Sequence, residues 1–238
     1  MGDNNKRTDS ISVFFPCHNE VENISSLTEK TYCVLQKYFN EFEILLINDG
    51  STDGTYEVAE ELATKYPEVK AVHHEVNKGY GGAVWTGIKS STKDLLFFTD
   101  GDGQFDTEEI ALLLQHIDKY DAVLGYRMKR NDPFHRLLFA KAWGTLIRIL
   151  FGIKLKDLDC AFKLFHRKLF EGLSQEAGGA MVTVEFMFKL IRRGLTYKQV
   201  GVHHYPRTAG IQSGGSIKVI FRAFRELFAL HSNLKSFK

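Results

Sequence analysis

Cysteine, proline and long apolar runs are all scarce in this sequence of 238 residues. The three cysteines are an odd number without metal-ligand spacing, which excludes a disulfide framework and predicts reduced thiols. No run of about eighteen uncharged apolar residues occurs, so no membrane-spanning helix is predicted. Residues 1–10 are polar and lack the apolar segment of a signal peptide. We therefore expect a soluble or peripheral protein in a reducing compartment.

The composition is that of an ordinary globular protein, with 44% apolar and 25% charged residues. The net charge of +2 conceals two halves of opposite sign. Residues 1–126 hold 10 Lys+Arg against 22 Asp+Glu, whereas residues 127–238 hold 21 against 7. Either the basic half faces an anionic surface or substrate, or the two halves neutralise each other across their interface. Composition alone does not separate these alternatives.

Short apolar segments alternate with helical patterns through the first half of the chain. The predicted strands cover 11–16, 43–48, 69–74, 94–99 and 122–125, and the predicted helices cover 21–38, 55–66, 81–91 and 107–118, the last with Thr107 as its N-cap. This alternation predicts an α/β fold with a doubly wound, mainly parallel sheet. After residue 127 the pattern becomes helical, basic and aromatic. We expect one continuous unit with a nucleotide-binding half (1–126) and an acceptor-binding half (127–238).

Polar segments follow three of the predicted strands, at 16–20, 48–53 and 100–104. Ligands of open parallel sheets bind beyond the carboxyl ends of the strands, so these segments should meet at one edge. Asp100 and Asp102, separated by a glycine, suit a hard divalent cation such as Mg²⁺ or Mn²⁺. A solvated turn is the alternative, because Asp and Gly are common turn residues.

The other two polar segments and a glycine-rich loop offer further ligands. Asp49 is placed to accept hydrogen bonds from a base or a ribose, whereas Asp53 is favoured as a helix cap. Glu20 either reaches the nucleotide or caps the following helix. Lys78 lies in a glycine-rich loop before a helix, which is a weak signal for a phosphate cradle.

Taken together, the segments P-x-H-N-E, N-D-G-S-T-D-G-T, N-K-G-x-G-G-A and D-G-D-G-Q resemble family 2 glycosyltransferases of the GT-A fold. The resemblance is strongest to polyprenyl-phosphate and dolichyl-phosphate mannose or glucose synthases. It implies a metal held by Asp100, Asp102 and Gln104. The donor-binding residues that it implies are Pro16, His18, Glu20, Asp49, Lys78, Asp100 and Gly101. Asn48 departs from the pattern, since many relatives have an acidic residue there.

The basic half carries the residues that the resemblance implies for the acceptor and the diphosphate. Arg127, Arg136 and Arg207 resemble the arginines that hold phosphate groups, and a guanidinium fork suits phosphate oxygens. Each could instead be a surface or ion-pair arginine. Asp157 lies in a segment that resembles the one flanking the acceptor site, and Glu185 falls in the helix that follows.

The resemblance implies inverting transfer of a hexose from a GDP-mannose or UDP-glucose type donor. Asp102, Arg127, Arg136, Asp157 and Arg207 are the predicted catalytic residues. A lipid phosphate acceptor needs little general base, whereas a hydroxyl acceptor would require Asp157 or Asp159. The alternatives are therefore a transferase acting on a saccharide hydroxyl or other soluble acceptor, and a nucleotide-sugar-binding module without turnover. Nucleic-acid binding would leave the paired carboxylates without a use.

Two basic amphipathic stretches, at 134–151 and 216–231, bear on the lipid acceptor. Helices of this kind can lie in a membrane interface, but they can equally pack on a core with a solvated basic face. On the first interpretation we expect a cytoplasmic protein, peripheral to the cytosolic membrane face.

Overall fold

The computed structural model of the protein describes residues 6–128, 134–177, 179, 181–207, 209 and 217–234, with side chains described outside 134–141 and 217–224. Seven strands form one sheet within these residues. They are β1 (Ile11–Cys17), β2 (Phe42–Asp49), β3 (Val69–His74), β4 (Leu95–Phe98), β5 (Ala122–Arg127), β6 (Lys163–His166) and β7 (Tyr197–Val202). Their spatial order is β3-β2-β1-β4-β6-β5-β7.

Helices connect most of these strands and cover the sheet. They are α1 (Ile24–Tyr38), α2 (Thr55–Lys65), α3 (Tyr80–Ser90), α4 (Ile110–Leu114), α5 (Phe134–Phe151), α6 (Val182–Arg192) and α7 (Ile217–Leu234). Short 3-10 turns cover Thr107–Glu109 and Arg167–Phe170.

The sheet is mainly parallel, as the alternating pattern predicts. β1 runs parallel to β2 and β4, β2 runs parallel to β3, and β5 runs parallel to β7. Only β6 is antiparallel to both of its neighbours, β4 and β5. The α/β class and the doubly wound, mainly parallel sheet expected from the sequence are confirmed.

Core packing on both faces of the sheet explains why the central strands read as continuous apolar runs. Phe14 packs on one face with residues of α3 and α6, whereas Phe15 packs on the other with residues of α1 and α2. A strand that is covered on both sides has no solvent-facing positions for polar residues. All eight residues of β2 are accordingly buried, including Glu43, which bonds Ser12 and Thr92.

The predicted helix at 107–118 is wrong in its start and its length. Asp106, not Thr107, supplies the cap, because its side chain accepts a hydrogen bond of 2.9 Å from the amide of Glu108. A 3-10 turn follows, and α4 then ends at Leu114. The strands β6 and β7 were not predicted at all.

The helices α5 and α7 use their apolar faces for core packing. Ile147 and Phe151 of α5, with Leu227 and Leu230 of α7, are buried in one cluster. Core packing therefore accounts for these inward positions of both basic amphipathic stretches. Among the described residues, no helix combines the length and the apolar character that crossing a bilayer requires.

Candidate functional site

Three strand ends bring the polar segments of the first half to one edge of the sheet, as expected. The His18 ring donates from Nδ1 to the Asp49 carbonyl oxygen at 2.9 Å, which joins the ends of β1 and β2. Gly101, just beyond β4, lies against Pro16 and Cys17 at the end of β1. We call this group of strand ends the donor edge, because the sequence predicts that the sugar donor binds there.

Gly101 is required at the donor edge because a side chain would collide there. A Cβ atom at this position would lie 2.8 Å from the Cys17 sulfur and 2.9 Å from the Pro16 carbonyl oxygen. We expect Gly101→Ala to lower the free energy of unfolding by about 1–3 kcal/mol. Gly144→Ala is the control, since Gly144 lies in helix α5 with open space around it. That change should raise the free energy of unfolding by up to about 1 kcal/mol. Equal urea midpoints for the two variants would contradict the close packing.

Asp100 and Asp102 are carboxylates held in a poorly solvated position. Asp102 Oδ1 accepts a hydrogen bond of 3.1 Å from the Gln104 amide. Asp100 Oδ1 is buried and meets no hydrogen-bond partner among the described residues. Burial and then the charge of Asp102 raise the pKa of Asp100 from 3.8 to about 7, although a hydrogen bond from Tyr80 lowers it in part. Burial likewise raises the pKa of Asp102.

The raised pKa of Asp100 predicts a stability that falls as the pH rises. The folded chain holds this proton more tightly than the unfolded chain, so ionisation between about pH 4 and pH 7 favours unfolding. Without added metal, Asp100→Asn should therefore gain stability relative to wild type between pH 5 and pH 8. Urea unfolding in a chelator at both pH values measures this gap. If the difference in unfolding free energy between Asp100→Asn and wild type is the same at pH 5 and pH 8, Asp100 ionises in the folded chain without a penalty.

The pair of carboxylates fits a hard divalent cation. The buried, unpartnered oxygen of Asp100 lacks the compensation that a buried anionic group needs, and a cation would supply it. No group of three or more His, Cys, Asp or Glu side chains arranged for a metal occurs within the described part of the chain. The protein would thus provide two carboxylates, and phosphate oxygens or water would complete the ligand set. The side-chain amide of Gln104 donates a hydrogen bond of 2.9 Å from Nε2 to the Tyr205 carbonyl oxygen. The role of Gln104 as a metal ligand stays a prediction.

Arg207 joins the second half of the chain to the donor edge. Its Nη2 donates to both carboxylate oxygens of Glu20 at 2.6 Å, and its Nη1 lies 3.9 Å from Asp102 Oδ2. Glu20 also accepts a hydrogen bond of 2.7 Å from the Asn23 side chain. The Glu20 side chain therefore pairs with Arg207 and Asn23, and α1 has no side-chain cap.

The Asp49 carboxylate is held by two groups at the end of β2. Its Oδ1 meets His74 Nδ1 at 2.6 Å and accepts the Lys78 amide at 2.8 Å. The other ring nitrogen of His74 lies 2.8 Å from the Thr86 hydroxyl. Lys78 thus contributes its backbone to Asp49, while its side chain is exposed. The predicted phosphate role of Lys78 stays a prediction.

Asn48 and Asp53 hold the loop after β2 together. Asn48 contacts the His73 ring at 2.9 Å and accepts the Ser51 amide at 3.2 Å. Asp53 accepts the Thr55 amide at 3.1 Å at the start of α2. Gly54 occupies the N-cap position of α2, so the N-cap role favoured for Asp53 is wrong, and Asp53 instead holds the residues around the start of that helix.

Arg127 and Asp157 form a two-pronged ion pair at the end of β5. The distances are 2.7 Å from Nε to Oδ2 and 2.8 Å from Nη2 to Oδ1. Burial alone would raise the pKa of Asp157, but the hydrogen bonds from Arg127 outweigh it and the pKa is lowered. A carboxylate of lowered pKa is a weak general base. The side chain of Arg136 lies outside the described residues.

Lys163 and the Glu185–Lys189 pair are charged groups to which the sequence interpretation assigned no function. Lys163 is 1% exposed and sits where β6 faces the end of β4. The only sequence signal for it is one lysine inside the apolar run 160–166. Glu185 accepts the amides of residues 176 and 177 and pairs with Lys189 at 2.6 Å. It anchors the segment before α6.

Comparison with known proteins decides the family. Residues 12–174, more than half of the chain, match the model of Glycosyl transferase family 2. The chain belongs to this family. The resemblance seen in the sequence motifs is thereby confirmed.

Curated relatives of this family 2 chain include a dolichol-phosphate mannosyltransferase of Pyrococcus furiosus. It is 31% identical over 233 residues, which cover 92% of this chain and 63% of that protein. A polyprenol monophosphomannose synthase of Mycolicibacterium smegmatis is 28% identical, with 87% and 82% covered. An undecaprenyl-phosphate 4-deoxy-4-formamido-L-arabinose transferase of Pectobacterium atrosepticum is 31% identical, with 67% and 50% covered. The chain thus spans less than two thirds of the length of the first and third of these relatives.

Solved structures share the fold of this family 2 chain at low sequence identity. Glucosyl-3-phosphoglycerate synthase from Mycobacterium tuberculosis, in complex with phosphoglyceric acid, superposes with a TM-score of 0.72 at 21% identity. The match covers 94% of this chain and 81% of that one. The same enzyme with Mn²⁺ and uridine-diphosphate-glucose gives a TM-score of 0.71 at 20% identity, with 94% and 80% covered.

Proposed function

We propose that this chain transfers a hexose from a nucleoside-diphosphate sugar to a polyprenyl or dolichyl phosphate, with inversion at the anomeric carbon. The observation that carries the proposal is the approach of Arg207 to Asp102 at the donor edge, where Nη1 and Oδ2 are 3.9 Å apart and Asp100 lies two residues before Asp102. Two carboxylates for a cation and an arginine for phosphate suit a diphosphate leaving group. The names of the curated relatives support the lipid phosphate as acceptor.

The residues at the ends of β1, β2 and β4 are proposed to bind the sugar donor. Asp49 has its Oδ1 held by His74 and Lys78, and its other carboxylate oxygen is the proposed acceptor for the nucleoside. His18 and Pro16 line the adjacent strand end. Asp100 and Asp102 would hold Mg²⁺ or Mn²⁺, which when bound neutralises charge on the diphosphate. The Mn²⁺ and uridine-diphosphate-glucose complex of the structural relative supports this cofactor.

Three arginines, Arg207, Arg127 and Arg136, are proposed to bind the negatively charged phosphate groups. Arg207 stays bonded to Glu20 through Nη2 while its Nη1 side points toward Asp102, so it can donate to a diphosphate there. Arg127 is held in one orientation by Asp157, which limits the freedom that it loses on binding phosphate. Arg136 is proposed as a third phosphate contact on its motif alone.

The state of Asp157 weakens one of the two candidate bases for a hydroxyl acceptor, Asp157 and Asp159, and so supports a phosphate acceptor. A lipid monophosphate has a second pKa of about 6, by analogy with phosphorylated side chains, and is largely dianionic near neutrality. It needs no general base. A hydroxyl would need one, yet Asp157 is paired with Arg127 and its pKa is lowered.

Peripheral membrane contact is part of the proposal. Ile149 of α5 and Phe228 of α7 are 73% and 58% exposed, and residues 127–238 carry an excess of Lys and Arg. Exposed apolar side chains next to basic residues suit the surface of an anionic membrane. We propose that the chain acts at the cytosolic membrane face.

A partition assay tests the function. Radiolabelled GDP-mannose and UDP-glucose are each incubated with the protein, Mn²⁺ and either polyprenyl phosphate or a soluble saccharide. Label that enters the organic phase only with polyprenyl phosphate supports the proposal. Label on the saccharide instead would assign the hydroxyl-acceptor transferase. Nucleotide-linked thermal stabilisation without transfer to either would reduce the protein to a binding module.

A further inference from the structure

Lys163 is a buried cation at the donor edge that the proposed function does not yet use. It begins β6, pairs in register with Phe98, and is 1% exposed. Phe98 is followed closely by Asp100. An ammonium group in such a position loses its hydration, which costs several kcal/mol unless hydrogen bonds and opposite charges replace it. A methionine of similar length would avoid this cost. The presence of a lysine therefore suggests that its ammonium group has a role at this position.

The hydrogen bonds of Lys163 close a loop of its own chain. Its Nζ donates to the carbonyl oxygen of Leu158 at 3.0 Å and to that of Cys160. The Cys160 amide in turn approaches the Asp157 carbonyl oxygen at 3.4 Å. The segment 157–163 is therefore wrapped around the ammonium group, and its shape depends on that group.

The same loop orients Arg127. Asp157, at the start of the loop, receives both the Nε and the Nη2 donors of Arg127. The end of the loop is fixed as well, since the Gly125 amide donates to the Phe162 carbonyl oxygen at 2.8 Å. Arg127 thus has its guanidinium held by a carboxylate whose backbone the lysine secures.

Neighbouring charges compensate Lys163 only in part. Burial lowers its pKa, whereas Asp157, Asp159 and Asp100 act in the opposite direction. The lysine therefore lies between the carboxylate proposed for the cation and the ion pair proposed for phosphate. This position distinguishes it from Lys189, which is also buried but pairs with Glu185 on α6.

We propose that Lys163 is a positioning residue for transfer: by holding the 157–160 backbone through its ammonium group, it fixes Asp157 and so aims Arg127 at the reacting phosphates. The inference rests on the proposed function for the meaning of Arg127. It requires that Lys163 act through Arg127 and not independently of it.

A double-mutant cycle tests this dependence. Lys163→Met should lower kcat/KM by about 10–100-fold, the range found when a supporting residue is removed. Arg127→Met should lower it by about 100–1000-fold, as loss of a charged donor does. The kcat/KM of the double variant should lie within about threefold of that of Arg127→Met alone. The reason is that loss of Lys163 acts by displacing Arg127, which the double variant no longer has. If the loss in the double variant equals the product of the two single losses, or if Lys163→Met keeps full activity, the proposal is overturned.

Two further variants separate positioning from simple folding. Lys163→Arg keeps a charged donor for both carbonyl oxygens and should retain more activity than Lys163→Met. Lys70→Met is the matched control, because Lys70 pairs at 2.8 Å with the buried Glu43 near the start of β2. It should leave transfer unchanged. Circular dichroism and thermal melts establish that each variant folds, and an unfolded Lys163→Met leaves the comparison with Lys163→Arg to decide. If Lys163→Arg then loses as much activity as Arg127→Met, the proposal fails.

An activity-independent measurement completes the test. The Arg127 Nε–H signal in a proton–nitrogen NMR spectrum, assigned with Arg127→Lys, reports the bond to Asp157. We expect Lys163→Met to shift or broaden it and Lys70→Met to leave it in place. An unchanged signal in Lys163→Met would refute the link even if no acceptor has been found. Absence of transfer by wild type, with the signal responding as expected, would instead count against the proposed function alone.

Discussion

Asp102→Ala is expected to abolish metal-dependent sugar transfer, with a loss of about a thousandfold or more. A cation that neutralises a leaving diphosphate contributes several kcal/mol to the transition state, and about 1.4 kcal/mol corresponds to a factor of ten. Asp102 is one of the two carboxylates proposed to hold the cation, and its Oδ2 is its oxygen nearest Arg207. Initial rates across a Mn²⁺ titration measure the effect, and raising Mn²⁺ should not restore the rate.

Asp106→Asn is the control for Asp102→Ala. Asp106 lies four residues away and pairs with Lys30 at 2.9 Å, and an asparagine there can still cap the following turn. Its transfer rate and its dependence on Mn²⁺ should match those of wild type. Undiminished turnover of Asp102→Ala would remove the metal assignment, whereas equal losses in both variants would point to general damage of the 100–106 segment.

Arg207→Ala is expected to lower kcat by about 100–1000-fold, the usual effect of removing a donor from developing negative charge. The change also leaves Glu20, which is 9% exposed, without its strongest partner. Donor affinity should therefore fall too, since an unpaired carboxylate near a diphosphate repels it. Arg207→Lys should recover part of the rate, because an ammonium keeps the charge and loses the fork. Steady-state kinetics with the labelled donor gives kcat and KM separately.

Arg167→Ala provides the matched control for Arg207→Ala. Arg167 follows β6 at the edge opposite Lys163 and donates to the Lys93 carbonyl oxygen at 2.8 Å. Its loss removes an arginine without touching the donor edge, so kcat and KM should stay near the wild-type values. If Arg207→Ala retains full activity while Glu20→Gln loses it, Glu20 and not Arg207 is the group that acts on the donor.

The parallel first half of the fold could be predicted because its strands are covered on both faces. Val69–His74 is found with the predicted bounds, and β1, β2 and β5 differ by one or two residues. β6 escaped prediction because it has four residues and starts with Lys163, which breaks the apolar run. β7 escaped because it lies at the sheet edge and is half-exposed, with polar Lys198 and Gln199 in its interior.

The geometry of the candidate site was predictable at the strand ends and hidden in its long-range pairs. Asp49, Asp100 and Asp102 follow apolar strands, so their shared edge could be derived from the parallel order. Glu20 and Arg207 are 187 residues apart, and no local pattern indicates that they pair. The Arg127–Asp157 pair likewise required the structure, and it changed the interpretation of Asp157 from a candidate base to a partner of Arg127.

The reversed direction of β6 has a consequence for how this protein could change its acceptor during evolution. Because β6 runs against β4, its first residue lies beside the last residue of β4, at the donor edge. The segment that precedes β6 therefore also lies at the donor edge. Hydrogen bonds from the Gly125 amide to the Phe162 carbonyl oxygen and from Lys163 to the Leu158 carbonyl oxygen hold it there. On the proposed function, new sequences could be exchanged between 152 and 156, ahead of Asp157, while the strand ends that carry Asp49 and Asp100 and the bonds of Lys163 stay untouched. If the segment before Asp157 contacts the acceptor, as the proposed function would have it, the acceptor could change while the proposed donor-binding residues stay in place.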